Sequence, residues 1–234
     1  MSKSKKTIGV LGGMGPEASS ALYQKIIAYA QSNHGAVQDN DYPPVFIYSL
    51  PLQGFDETGI RDKDMVVSQL VEGVKKLELA GSDLVIIACN TVHFFYDEMQ
   101  NVTNIPIFNI IEETAQRVYH DDIRKVGLLA SESTCKLGLY QDKMKPSGID
   151  VILPDQNQQD KLNNVIEHVM GGKQSNADLE TLQEIARSYT NQGAEAVVMG
   201  CTELPLVMNQ SQTDIRLYNT IEIIVQSAVD YSLL

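Results

Sequence analysis

Gly81-Ser-Asp-Leu-Val-Ile-Ile-Ala-Cys89-Asn-Thr91 aligns without a gap on Gly193-Ala-Glu-Ala-Val-Val-Met-Gly-Cys201-Thr-Glu203. In each stretch a glycine stands eight positions before a cysteine, and an apolar run leads up to that cysteine. Upstream, Gly9-Val-Leu-Gly-Gly13 answers Gly127-Leu-Leu-Ala-Ser131. Downstream, Asn109 and Glu112 answer Asn219 and Glu222. Self-similarity on this scale indicates two copies of one supersecondary plan, each with a cysteine in the same place.

Outward from these stretches, short apolar runs rich in β-branched residues read as buried strands at Thr7–Leu11, Val45–Ser49, Leu84–Ala88 and Ile105–Phe108. Helical periodicity separates them over Pro16–Ser32 and Lys63–Leu79. The second half repeats the rhythm, with strands at Lys125–Leu129, Val151–Leu153, Ala196–Met199 and Ile215–Leu217. Its helices are expected at Ser133–Met144, Asn157–Met170, Ala177–Asn191 and Thr220–Ser232. Such alternation predicts parallel sheets covered on both faces. The expected fold is α/β: two pseudo-symmetric parallel-sheet units with the active site in the cleft between them. The first unit is expected over 1–109, with 212–234 returning to it, and the second over 110–211.

The 234 residues suffice for two small domains, and 43% apolar with 21% charged residues excludes disorder, collagen and coiled coil. A formal charge of −12 disfavours nucleic acid and anionic lipid as partners. The first apolar run is broken by Gly9, Gly12 and Gly13, unlike a secretory signal, and no stretch reaches the roughly 20 apolar residues of a membrane span. Three cysteines give no disulfide framework and favour a reducing compartment, so a cytoplasmic protein is expected. The four histidines are scattered and no C-x-x-C spacing occurs, so no metal site is expected.

A cysteine at the C-terminal end of a parallel strand sits where open α/β sheets bind ligands. Cys89 runs into Asn90-Thr91 and Cys201 into Thr202-Glu203, polar residues expected to open helices whose N-termini would lower a thiol's pKa and hold a carboxylate. Two matched thiols suit removal of a proton from one face of a carbon and its return to the other, one sulfur as thiolate and one as thiol. Covalent attack would need only one of them. Cys135 has no counterpart in the repeat and reads as packing, whereas His93, four residues after Cys89, reads either as a group polarising the site or as a structural histidine. The loop Gly13-Met-Gly-Pro-Glu-Ala18 has G-x-G-x-x-A spacing, but Tyr48-Ser49-Leu50 offers no acidic residue for a ribose. Its backbone amides are expected to approach a small carboxylate instead.

With Ile8-Gly-Val-Leu-Gly-Gly-Met-Gly-Pro-Glu-Ala18, Cys89-Asn-Thr-Val-His93, Asn109-Ile-Ile-Glu-Glu-Thr114, Gly138-Leu-Tyr-Gln141 and Gly200-Cys-Thr-Glu-Leu-Pro205, the chain resembles the aspartate/glutamate racemase family over nearly its whole length. The resemblance implies racemisation of an amino acid without pyridoxal phosphate or other cofactor, with Cys89 and Cys201 as the acid/base pair, and a homodimer. It further implies substrate binding by Met14, Asn90, Thr91, Thr134 and Thr202, with Lys161 as a further candidate. Aspartate-specific members carry Asp-Arg-Thr after the second strand and a lysine late in the helix ending at Gly171-Gly172. Here Gly54-Phe55-Asp56 and Met170 stand at those places, so a neutral or broader substrate is expected. The rival readings are a one-cysteine decarboxylase or isomerase of the superfamily and a non-catalytic small-molecule binding protein.

Overall fold

The computed structural model describes residues 5–56 and 59–234. Its elements run β1 (Ile8–Gly12), α1 (Pro16–His34), β2 (Val45–Ser49), β3 (Phe55–Asp56), β4 (Gly59–Ile60), α2 (Lys63–Leu79), β5 (Leu84–Ile87), α3 (Tyr96–Gln100), β6 (Ile107–Phe108) and α4 (Ile110–His120). They continue with β7 (Lys125–Leu129), α5 (Glu132–Lys136), α6 (Leu139–Met144), β8 (Asp150–Ile152), α7 (Gln156–Met170), α8 (Asn176–Asn191), β9 (Ala196–Met199), β10 (Arg216–Asn219) and α9 (Thr220–Leu233). The chain forms two compact units. One comprises Met1–Phe55, Arg61–Ile110 and Ile221–Leu234, the other Asp56–Ile60 and Ile111–Thr220.

The two units share one topology. The first sheet has the order β2-β1-β5-β6 and the second β10-β9-β7-β8, which is the same sequence of strands read from the opposite edge. The described pairings within both sheets are parallel. The central strands are the apolar runs of the repeat, with β1, β5 and β9 fully buried and β7 buried from its second residue. Glycine ahead of each cysteine strand turns the chain at positive φ, 99° at Gly81 and 90° at Gly193, a conformation that favours glycine. The acidic residue two places later then accepts from the strand beside it: Asp83 from the Thr7 N–H at 2.6 Å, Glu195 from the Lys125 N–H at 3.0 Å. The repeat in sequence is thus a repeat in hydrogen bonding.

Several elements differ from the sequence expectation. Val45–Ser49 is a strand, but it lies at a sheet edge with Phe46 43% and Ile47 45% exposed, so composition alone mistook an edge for a core strand. The single helix expected over Ser133–Met144 is broken into α5 and α6 by Gly138 at φ 69°. The β3–β4 pair and helix α4 have no counterpart in the periodicity read from the sequence. Strand β10 pairs with β9 inside the second unit, so the return to the first unit begins at Ile221 and not at 212. The short segment Asp56–Ile60, although early in the chain, belongs with the second unit, where β4 packs against α5.

Packing of the second unit turns on a glycine inside β7. A Cβ on Gly127 would lie 2.1 Å from the ring of Tyr189, which is fully buried and donates its hydroxyl to the Leu128 carbonyl at 3.0 Å. Gly127→Ala is therefore expected to destabilise the protein by about 1–3 kcal/mol, as overpacking of a dense core does. Urea unfolding of wild type and variant measures this, and an unchanged midpoint would contradict the packing described.

Candidate functional site

Each cysteine stands two residues beyond its strand. The residue between is tied by its backbone N–H to the end of the neighbouring strand, Ala88 to the Leu11 carbonyl at 2.9 Å and Gly200 to the Leu129 carbonyl at 2.7 Å. Close packing makes glycine necessary at position 200, where a Cβ would meet Leu128 at 2.8 Å and Tyr140 at 3.0 Å. Sequence and hydrogen bonding together place Cys89 and Cys201 at equivalent points at the C-terminal ends of parallel strands. Cys89 is 6% exposed and Cys201 9%, so both thiols are largely withdrawn from solvent without being sealed.

In the first unit, Asn90 and Thr91 follow Cys89, both buried, and a 3-10 helix runs from Thr91 to Phe95. His93 ties this turn to the next element. Its Nε2 accepts from the Ile110 N–H at 3.3 Å, so the ring proton sits on Nδ1, which donates to the Cys89 carbonyl at 2.8 Å. Burial pulls His93 down to about 4, against smaller opposing effects of backbone hydrogen bonds at Cys89, Phe108 and Asn90. It is neutral at physiological pH and ties the Cys89 carbonyl to the Ile110 amide, a structural role. Met14 is buried in the loop after β1. One amide of that loop is not available to a ligand, because the Gly13 N–H donates to Ser19 Oγ at 2.9 Å and the Ser19 hydroxyl in turn donates to the Gly15 carbonyl at 2.9 Å.

In the second unit, Thr202 and Glu203 follow Cys201, and a 3-10 turn covers Leu204–Leu206. The Cys201 thiol donates to Glu203 Oε2 at 3.1 Å, and the Thr202 hydroxyl donates to the same oxygen at 3.0 Å. All three side chains are buried. Thr134 is fully buried on α5, its N–H held by the helix-capping Ser131 hydroxyl at 3.3 Å and its Oγ1 3.1 Å from the same oxygen. Tyr140 is fully buried close to Cys201; burial pushes its phenol well up, partly offset by hydrogen bonds to Thr114 and Thr220. The Thr220 hydroxyl donates to the Met199 carbonyl at 2.9 Å, so this network reaches the end of the Cys201 strand.

One sequence expectation changes. The cysteines open into 3-10 turns of a few residues, whose few aligned peptides supply little helix dipole. Lys161 lies on α7 with its ammonium 3.3 Å from Glu184 of α8 and its side chain 40% exposed, an ion pair at the surface. Met170 is 47% exposed at the end of α7. Glu203 and Tyr140 are the residues the site adds. Both lie in motifs visible in the sequence, but nothing there showed which side chain would reach a sulfur. Cys135 is only part-buried, yet desolvation and then Glu132 push its thiol up to about 12, as suits an inert packing group. Among the described residues no group of three His, Cys, Asp or Glu could hold a metal ion, and no helix is long and apolar enough to cross a membrane.

Comparison with known proteins adds to this geometry. The family profile described as Asp/Glu/Hydantoin racemase matches residues 11–228. The broad specificity amino-acid racemase RacX of Bacillus subtilis (strain 168) is 33% identical over 224 residues, covering 95% of this chain and 96% of that one. Among solved structures, an aspartate racemase homologue from Pyrococcus horikoshii OT3 superposes with a TM-score of 0.81 at 28% identity, over 97% of this chain and 99% of that one. Picrophilus torridus aspartate racemase gives 0.85 at 25% identity, over 97% and 94%.

Proposed function

Because the chain belongs to the Asp/Glu/Hydantoin racemase family, and is thereby an amino-acid racemase, we propose that Cys89 and Cys201 exchange the Cα proton of its substrate by a two-base thiol/thiolate mechanism. The observation that carries this reading is the equivalence of the two cysteines, each buried, each two residues past a matching strand. One sulfur, as thiolate, takes the Cα proton; the other, as thiol, gives a proton to the opposite face, and the roles reverse for the other enantiomer. Racemisation runs in both directions, so each group must serve as acid in one and base in the other, which two cysteines can do. Catalysis needs no pyridoxal cofactor in this reading. Buried Thr91, Thr202, Thr134 and Asn90 supply the hydroxyl and amide groups suited to an amino acid's carboxylate and amine, with Met14 as an apolar wall.

The substrate in this reading is a neutral amino acid, or a range of them, with no buried cation assigned to its side chain. Lys161 is engaged by Glu184 at the surface, and Met170 replaces a lysine with an exposed apolar side chain. The breadth of specificity in the name of the Bacillus subtilis relative supports the same direction. The three cysteines of this chain, none of them in a disulfide, suit a reducing cytoplasm, and a homodimer completes the proposal. Circular dichroism of purified protein with a panel of single enantiomers tests the substrate class. Several neutral amino acids are expected to lose optical rotation, and turnover confined to aspartate or glutamate would refute the neutral-substrate reading.

A further inference from the structure

We propose that Glu203 is a catalytic residue that shares one proton with Cys201, holding Sγ as the thiol in the resting enzyme and receiving that proton when Cys201 must act as base. This rests on the reading of Cys201 as one of the two catalytic thiols. The contact is direct, Sγ to Oε2 at 3.1 Å, and the Thr202 hydroxyl at 3.0 Å fixes the same oxygen. Glu203 is only 3% exposed, so its carboxyl meets the sulfur away from solvent, where a hydrogen bond is stronger than in water. The repeat shows that this is not part of the common plan. Thr91 stands in the first unit where Glu203 stands in the second, so the two thiols are equivalent in backbone and unequal in chemistry.

The step balances within the pair. In the resting form the S–H bond is intact and the carboxylate accepts from it; in the base form the S–H bond breaks, an O–H bond forms at Oε2, and Sγ carries the negative charge. No oxidant or further reactant is involved. The described titratable groups of Tyr140 and α7 are engaged elsewhere or exposed. Tyr140 is held neutral by burial. On α7, which packs against the turn after Cys201, Lys161 pairs with Glu184 and His168 with Asp178, while Asp160 and Glu167 are exposed.

The test is site-resolved alkylation by iodoacetamide against pH, read by mass spectrometry of the Cys201 peptide, with Cys135 as the internal reference for reagent and unfolding. Removing a like charge this close favours the thiolate, so Glu203→Gln is expected to alkylate Cys201 about tenfold faster at pH 7 and to lose about 10²-fold in racemisation. Glu203→Asp, which keeps the carboxylate, should stay near the wild-type alkylation profile. Unchanged or slower alkylation in Glu203→Gln, or the same change in both variants, overturns the proposal. The two ideas fail separately: racemisation persisting in Cys201→Ser would refute the two-thiol reading, whereas the alkylation profile reports on Glu203 whether or not Cys201 is catalytic.

Discussion

Cys89→Ser and Cys201→Ser are each expected to lower racemisation by about 10²–10⁴-fold, the usual contribution of a positioned acid or base. Serine fills nearly the same volume, so both variants should fold; what is lost is an ionisable group near neutrality, since free cysteine titrates at about 8.5 and an alcohol far above. Each variant keeps one thiol, and that thiol can still remove or return a proton on its own face. Exchange of Cα hydrogen with solvent should therefore survive for one enantiomer in Cys89→Ser and for the other in Cys201→Ser. Proton NMR in deuterium oxide distinguishes these outcomes from complete inactivity. Full racemisation by either variant would remove the two-base mechanism.

The second large effect concerns stability. His93 is neutral when folded because burial holds it at about 4, while in the unfolded chain it titrates near its ordinary 6.5. Between those values the unfolded state binds the extra proton, so the stabilisation is complete above about pH 6.5 and is lost as pH falls towards 4. At 1.36 kcal/mol per pH unit the span corresponds to about 3 kcal/mol. His93→Gln has nothing to titrate, so the gap in unfolding free energy between wild type and variant should narrow by about 3 kcal/mol from pH 7 to pH 4. A gap constant over that range would mean that His93 is not the buried neutral tether between the Cys89 carbonyl and the Ile110 amide.

Much of the fold was legible because the strands that carry it are the apolar runs of the repeat. β1, β5, β7 and β9 fall within a residue or so of where hydrophobic periodicity puts them, and the gapless Cys89/Cys201 alignment foretells two sheets of the same strand order. What escaped depends on position in three dimensions. Val45–Ser49 has the composition of a core strand and becomes an edge because no further described strand pairs beyond it. Asp56–Ile60 sits with residues more than fifty positions away, which no local pattern encodes. At the site, the cysteines and their polar followers were visible as residue types. The 3.1 Å contact between Cys201 and Glu203 depends on how the turn after β9 folds back, which residue types do not reveal. Lys161 is legible in the sequence as a cation on α7, whereas its 3.3 Å approach to Glu184 depends on how α8 packs beside it.

Exchange of the Cα proton by Cys89 on one face and Cys201 on the other would leave an isotopic signature. The most direct measurement is racemisation of a single enantiomer in deuterium oxide, with both enantiomers recovered during the first few per cent of conversion and analysed for deuterium at Cα. Two opposed thiols predict that the product enantiomer carries solvent deuterium from the first turnovers while the remaining substrate stays unlabelled. Equal deuterium in both enantiomers at that stage, or product that retains the original hydrogen, would show a single base working both faces and would contradict the account.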